Sequence, residues 1–89
     1  LLSKTAVLQV PYVLVMNHKG LKEGEVDAAL NKYCKKFHVR SDARRDKGYE
    51  KVVELKLKSG VADEFLTAVK GLPGMENVIL LSAGGEIAE

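Results

Sequence analysis

Two histidines, one cysteine and a cluster of cations are the side chains of this 89-residue chain whose types invite a chemical reading. His18 follows an apolar run and stands in the segment Asn17-His18-Lys19-Gly20, where a turning chain brings an amide, an imidazole and an ammonium together. Such a group suits a small ligand, an anion above all, at the end of a strand, and Asn17, His18 and Gly20 are the candidate binding residues. No carboxylate beside His18 orients its ring for base catalysis, so an exposed loop histidine is the plainer reading. His38 is read as structural or solvated. Cys34, between Tyr33 and Lys35, has no neighbouring base or second cysteine to stabilise a thiolate, and is read as packing. A single cysteine also excludes an intrachain disulfide and a paired-cysteine zinc site, and it fits a reducing compartment such as the cytosol. No catalytic residue, metal ligand set or cofactor motif emerges, and the chain is expected not to be an enzyme.

The cations are concentrated. Lys32, Lys35, Lys36, Arg40, Arg44, Arg45 and Lys47 face only two acids over residues 32–47, a local charge of +5 in a chain of net +2. Such a stretch suits an anionic lipid surface or an acidic partner, and equally a solvated helix end followed by a charged edge strand that resists aggregation. The net charge and a sequence pI near 8.7 fall short of the strongly basic signature of a nucleic-acid binder. With 46% hydrophobic and 29% charged residues the chain is expected to fold, and at this length around one core.

The elements that would hold these side chains follow from the hydrophobic period. Residues 7–16 are rich in β-branched side chains but interrupted by Pro11, which cannot donate to a central ladder. The first core strand is therefore expected to start at Tyr12, with residues 1–11 a linker or an extra strand. Over residues 25–36, Val26, Ala29, Leu30, Tyr33 and the following Phe37 recur at spacings of three and four. That spacing predicts a helix with Lys32, Lys35 and Lys36 in its last turn. Residues 38–44 alternate, with Val39, Ser41 and Ala43 on one side and Arg40, Asp42 and Arg44 on the other. Residues 45–48 supply hairpin chemistry. Residues 49–58 then alternate again, with Val53, Leu55 and Leu57 inward and Glu54, Lys56 and Lys58 outward to pair across the hairpin. Ser59 and Gly60 open a second helix along Val61, Phe65, Leu66, Val69 and Leu72, and Gly71, Pro73 and Gly74 end it. Residues 77–82 form an apolar strand, after which Gly84 and Gly85 release a tail, residues 87–89.

This order predicts an α+β domain over residues 12–86 with the βαββαβ, ferredoxin-like arrangement: a four-stranded antiparallel sheet in the order 4-1-3-2 with two helices on one face. The other face of such a sheet meets solvent, so its strands should alternate. The first and last strands do not. Tyr12, Leu14 and Met16 stand against Val13 and Val15, and Ile79 and Leu81 against Val78 and Leu80, so both faces are apolar. At about 25 cal/mol per Å² of apolar surface, leaving several such side chains wet forfeits several kcal/mol, comparable with the stability of a small domain. Tyr12, Leu14, Met16, Ile79 and Leu81 are therefore the expected interface. A second copy, residues 1–10 folded back, or another part of a longer chain would cover it, and a homo-oligomer through the sheet leads these candidates.

Other activities of this topology are disfavoured. Metal-transport domains need two cysteines in the first loop, and residues 17–22 hold none. RNA-recognition modules need aromatics on the central strands, where Glu54 and Lys56 stand, so no nucleic-acid partner is expected. An acylphosphatase-like site wants an early arginine, and none precedes Arg40.

Residues 12–86, above all KYCKKFHVRSDARRDKGYEKVVELKLKSG and ADEFLTAVKGLPGMENVILLSAGGE, resemble the C-terminal domain of a bacterial membrane-protein family of unassigned activity, similar to the ACT-like tail of MgtC-type proteins. The resemblance implies a domain excised from a longer chain with an N-terminal transmembrane region, residues 1–10 being the linker from its last helix. It implies a location on the cytoplasmic side of the bacterial inner membrane, with the basic stretch near the inner leaflet. The chain's own apolar runs are far shorter than the roughly 20 residues of a membrane helix. The expected function is a non-catalytic regulatory or oligomerisation domain without cofactor; the alternative is an ACT-like domain sensing a small ligand at the loop after the first strand. The ACT pattern's acidic residue ahead of the first-loop glycine is absent here.

Overall fold

The β-branched run forms strand β1, Pro11–His18. Pro11 occupies the first position of the strand, where a missing N–H is tolerated. The computed structural model describes residues 11–82 and 87–88; of the expected linker or extra strand at residues 1–11, Pro11 joins β1 and the rest lies outside the described residues. The stripe of Val26, Ala29, Leu30 and Tyr33 becomes helix α1, Glu23–Tyr33, which stops short of the expected Lys36. At Cys34 the backbone becomes extended (φ −107°, ψ 142°) while its N–H still donates to the Leu30 carbonyl. The Lys58 N–H closes on the Tyr33 carbonyl at 2.9 Å, tying the junction to the end of the neighbouring strand at Leu57. Helix thus passes directly into strand β2, Cys34–Arg45. There Phe37 pairs with Leu55 and Val39 with Val53, and aromatic and β-branched side chains favour an extended backbone. Lys35 and Lys36 consequently belong to β2, and only Lys32 remains as a cation in the last turn of the helix.

β2 pairs with strand β3, Gly48–Leu57, through a two-residue Asp46-Lys47 turn set between the partners Arg45 and Gly48. Register shifts interrupt the ladder between Cys34 and Lys36 and between Val39 and Ser41. The second shift reverses the alternation: Val39 lies opposite Val53, but Ser41 lies opposite Val52 and Ala43 opposite Glu50. The common face expected for Val39, Ser41 and Ala43 is corrected accordingly, because one extra residue in a strand exchanges its faces.

Helix α2, Ala62–Lys70, begins after Ser59 and Gly60, with Asp63 and Glu64 in its first turn and Lys70 in its last, both favourable to the helix dipole. Strand β4, Met75–Ser82, follows. Ile87–Ala88 form a short strand β5 against Leu80 and Leu81, so this part of the expected tail continues the sheet instead.

The strands make one sheet in the order β2-β3-β1-β4-β5, every neighbouring pair antiparallel. With the two helices of the described residues this is an α+β arrangement. Residues directly opposite in antiparallel strands share a face. Leu14, between Val53 and Leu80, therefore shares its face with both. That face meets the helices: Val26 and Leu30 of α1 and Phe65, Leu66 and Val69 of α2 are buried in one cluster with Leu14, Met16, Val53, Leu55, Val78 and Leu80. Among the described residues, no helix is long and apolar enough to cross a membrane.

Candidate functional site

The end of β1 is fixed from both neighbouring strands. Lys19 donates its N–H to the Gly74 carbonyl at 2.9 Å and its Nζ to the Lys47 carbonyl at 2.9 Å. Two glycines make room for this. At Gly48 (φ +139°) a Cβ would come within 2.5 Å of the His18 carbonyl oxygen, and at Gly74 (φ +92°) within 2.9 Å of the Gly20 oxygen. Only glycine suits both the left-handed backbone and the close approach.

Between this loop and the first turns of α1 lies a cleft of about 280 Å³. His18 forms part of its wall, 7% exposed, stacked on Tyr49 with ring centroids 5.4 Å apart and planes 16° apart. The Gly20 N–H donates to His18 Nδ1 at 3.1 Å. An Nδ1 that accepts carries no proton, so the neutral ring holds its proton on Nε2. Burial pushes His18 below the ordinary histidine value; the Asp42 carboxylate works against this and the Lys51 ammonium adds to it. Lys51 is largely sunk, its side chain 12% exposed, with Asp42 3.9 Å away. Leu21 and Val26 complete the cleft with apolar surface. The arrangement offers an imidazole N–H and an ammonium over a greasy floor, which can hold the polar head of a small ligand. It contains no nucleophile–base pair. Among the described residues no three His, Cys, Asp or Glu side chains gather to hold a metal ion.

A pH dependence follows. Because the folded-state value of His18 lies below its unfolded value of about 6.5, the unfolded chain binds the proton more readily. The His18 contribution to folding stability is therefore complete above about pH 6.5 and is lost as pH falls through the folded-state value. Urea unfolding across the mildly acidic range should show this slope, and His18→Gln should flatten it. An unchanged slope in the variant would assign the dependence to other groups.

The second feature is the sheet's open face. Val15 pairs with both Val52 and Ile79, and Val13 with Leu81. These five aliphatic side chains lie on the side away from the helices, partly buried. Beside them, Arg40 and Glu54 pair at 2.8 Å and Arg45 and Glu50 at 2.6 Å.

Comparison with known protein families, curated sequences and solved structures finds no match for this chain. The resemblance to the MgtC-type tail therefore rests on the sequence phrases alone.

Of the expected ligand residues, His18 and Gly20 line the cleft. Asn17 does not: it lies opposite Glu50 and Asn77, on the other face of the sheet from His18. Asp42, Tyr49 and Lys51 were missed. The two-residue turn already aligns Asp42 with Lys51, but bringing Tyr49 against His18 requires the β1–β3 register, which spacing along the chain does not reveal.

Of the expected interface, Ile79 and Leu81 stand on the open face, whereas Leu14 and Met16 are 0% exposed beneath the helices and Tyr12 packs against the same core. The open-face aliphatic residues of β1 are Val13 and Val15 instead. Among the basic residues, Lys32 lies 5.3 Å over the Tyr33 ring. Lys35, Lys36, Arg40, Arg44 and Arg45 are exposed along β2, an outer strand of the sheet. Cys34 is buried and its thiol is pushed up to about 11 by that burial, against a smaller opposing effect of Lys58, which leaves it protonated and inert near neutral pH.

Proposed function

We propose that this chain is a non-catalytic regulatory domain of the ferredoxin-like type that pairs with a second copy of itself through the open face of its sheet. The observation that carries this is the block of Val13, Val15, Val52, Ile79 and Leu81, which neighbouring-strand register places side by side on the face the helices leave free. Both charge signs sit beside it, in the Arg40–Glu54 and Arg45–Glu50 pairs. A two-fold partner, which presents the same patch, can therefore meet apolar with apolar and each cation with an acid. Covering aliphatic surface at about 25 cal/mol per Å² supplies the driving force. In this reading the domain is the cytosolic part of a bacterial membrane protein, as the sequence resemblance implies, and its pairing reports or sets the oligomeric state of an attached membrane region.

Sedimentation equilibrium tests the pairing. Wild type is expected to be a dimer, and Val15→Asp combined with Ile79→Asp a monomer with an unchanged far-UV spectrum. A wild-type monomer at high concentration removes the reading.

The cleft at His18 favours a second reading, an ACT-like domain that senses a small ligand at the loop after β1. A thermal-shift screen with amino acids, nucleotides and divalent ions tests it. A ligand present at 100 times its dissociation constant stabilises by about 2.7 kcal/mol, and the absence of a shift with all three classes rejects sensing of these ligands.

A further inference from the structure

We propose that Lys36 and Lys56 form a binding site for a phosphate group on the open face of the sheet, beside the start of β1. The two lysines are direct cross-strand partners in the β2–β3 ladder, and Pro11 stands opposite Lys56 from the other side, so all three share a face. Like charges placed opposite each other destabilise a sheet. Neither ammonium has an ion-pair partner among the described residues. Glu54, the acid next along the face, is held by Arg40 at 2.8 Å.

The lysines border a cleft of about 300 Å³ that Pro11, His38 and Glu54 also line, while the neighbouring pair Phe37 and Leu55 belongs to the helix-facing side. A phosphate group fits this setting in size and charge. Its two negative charges compensate both ammonium groups, where a carboxylate would leave one repelling the other, and His38 adds a further hydrogen-bond donor. Binding would therefore relieve a repulsion that the unliganded sheet retains. A free phosphate monoester and the phosphomonoester headgroup of phosphatidic acid present the same chemistry, and the exposed cations along β2 favour the approach of either.

The test is a titration of the chain with inorganic phosphate at constant ionic strength, followed by backbone amide shifts. Shifts at Lys36, His38 and Lys56 are expected. Lys36→Gln and Lys56→Gln should each weaken binding about tenfold, the worth of one charge-assisted contact. Arg44→Gln removes the same charge outside the cleft and should change nothing. Both lysine variants should also be at least as stable as wild type without phosphate, since each removes the repulsion. Repeating the titration on Val15→Asp keeps the outcome separate from the pairing of copies. Retention on vesicles containing phosphatidic acid, lost in Lys36→Gln, assigns a lipid headgroup; amide shifts without retention assign a free phosphate compound. No shift at these amides in wild type, shifts that persist at full strength in both lysine variants, or an equal loss in Arg44→Gln overturns the site.

Discussion

Gly48→Ala is expected to lower the unfolding free energy by about 3 kcal/mol and the thermal midpoint by about 15 °C. Two independent penalties combine at this position. The backbone at φ +139° is one that residues with a Cβ rarely adopt, and the added Cβ would press to 2.5 Å of the His18 carbonyl oxygen. That oxygen cannot move aside easily, because the loop after it is held by the Lys19 bonds to Gly74 and Lys47. The strain falls on the segment that places His18 against Tyr49, so any ligand binding at that cleft should weaken together with stability. Gly24→Ala is the control. Gly24 lies in α1 with nothing within 4 Å of the added Cβ and no positive φ, and alanine there should be neutral or stabilising by about 0.5 kcal/mol. Differential scanning calorimetry of the two variants decides the matter; equal midpoints would mean that β1 does not end against Gly48.

Leu14→Asp and Val15→Asp, changes at adjacent positions, should have opposite fates. Leu14 is 0% exposed between the sheet and both helices. Aspartate there loses the packing of a buried leucine and leaves a carboxyl group without a partner in the core, a cost of about 5 kcal/mol or more. That is most or all of the stability of a domain this size, about 5–10 kcal/mol, and the variant should show no cooperative melt. Val15 is only partly buried, on the face away from the helices. Aspartate there can reach water, so the variant should fold with a loss of about 1 kcal/mol and lose the proposed pairing. Circular dichroism melts of the two proteins separate the cases. A stably folded Leu14→Asp would reverse the faces assigned to β1 and with them the proposed interface.

Much of the architecture is visible in the linear pattern. The stripe in α1, the hairpin turn at Asp46-Lys47, the inward set Val53, Leu55 and Leu57, and the stripe in α2 each depend on local period or turn chemistry, which a chain carries within a few residues. The place where α1 ends was not visible in this way. Phe37 continues the helical spacing, yet the competing ladder with Leu55 lies far along the chain, and pairing energy of that kind has no local sign.

The candidate sites divide along the same line. Sequence alone determined that β1 and β4 are apolar on both sides and that a histidine, a glycine and a lysine cluster where the chain turns after β1. Tertiary structure decided which side faces the helices. Strand parity is a relation between partners, and it was the Leu14–Val53 and Leu14–Leu80 pairings that sent Leu14 and Met16 into the core and left Val13 and Val15 on the open face. It likewise decided that Asn17 turns away from His18 while Tyr49 and Lys51, from β3, come to it. The Lys36–Lys56 opposition has the same origin, since a register shift at the start of β2 sets which cation meets which. Composition and period constrain each segment separately; contact between segments follows from register, which the folded sheet fixes as a whole.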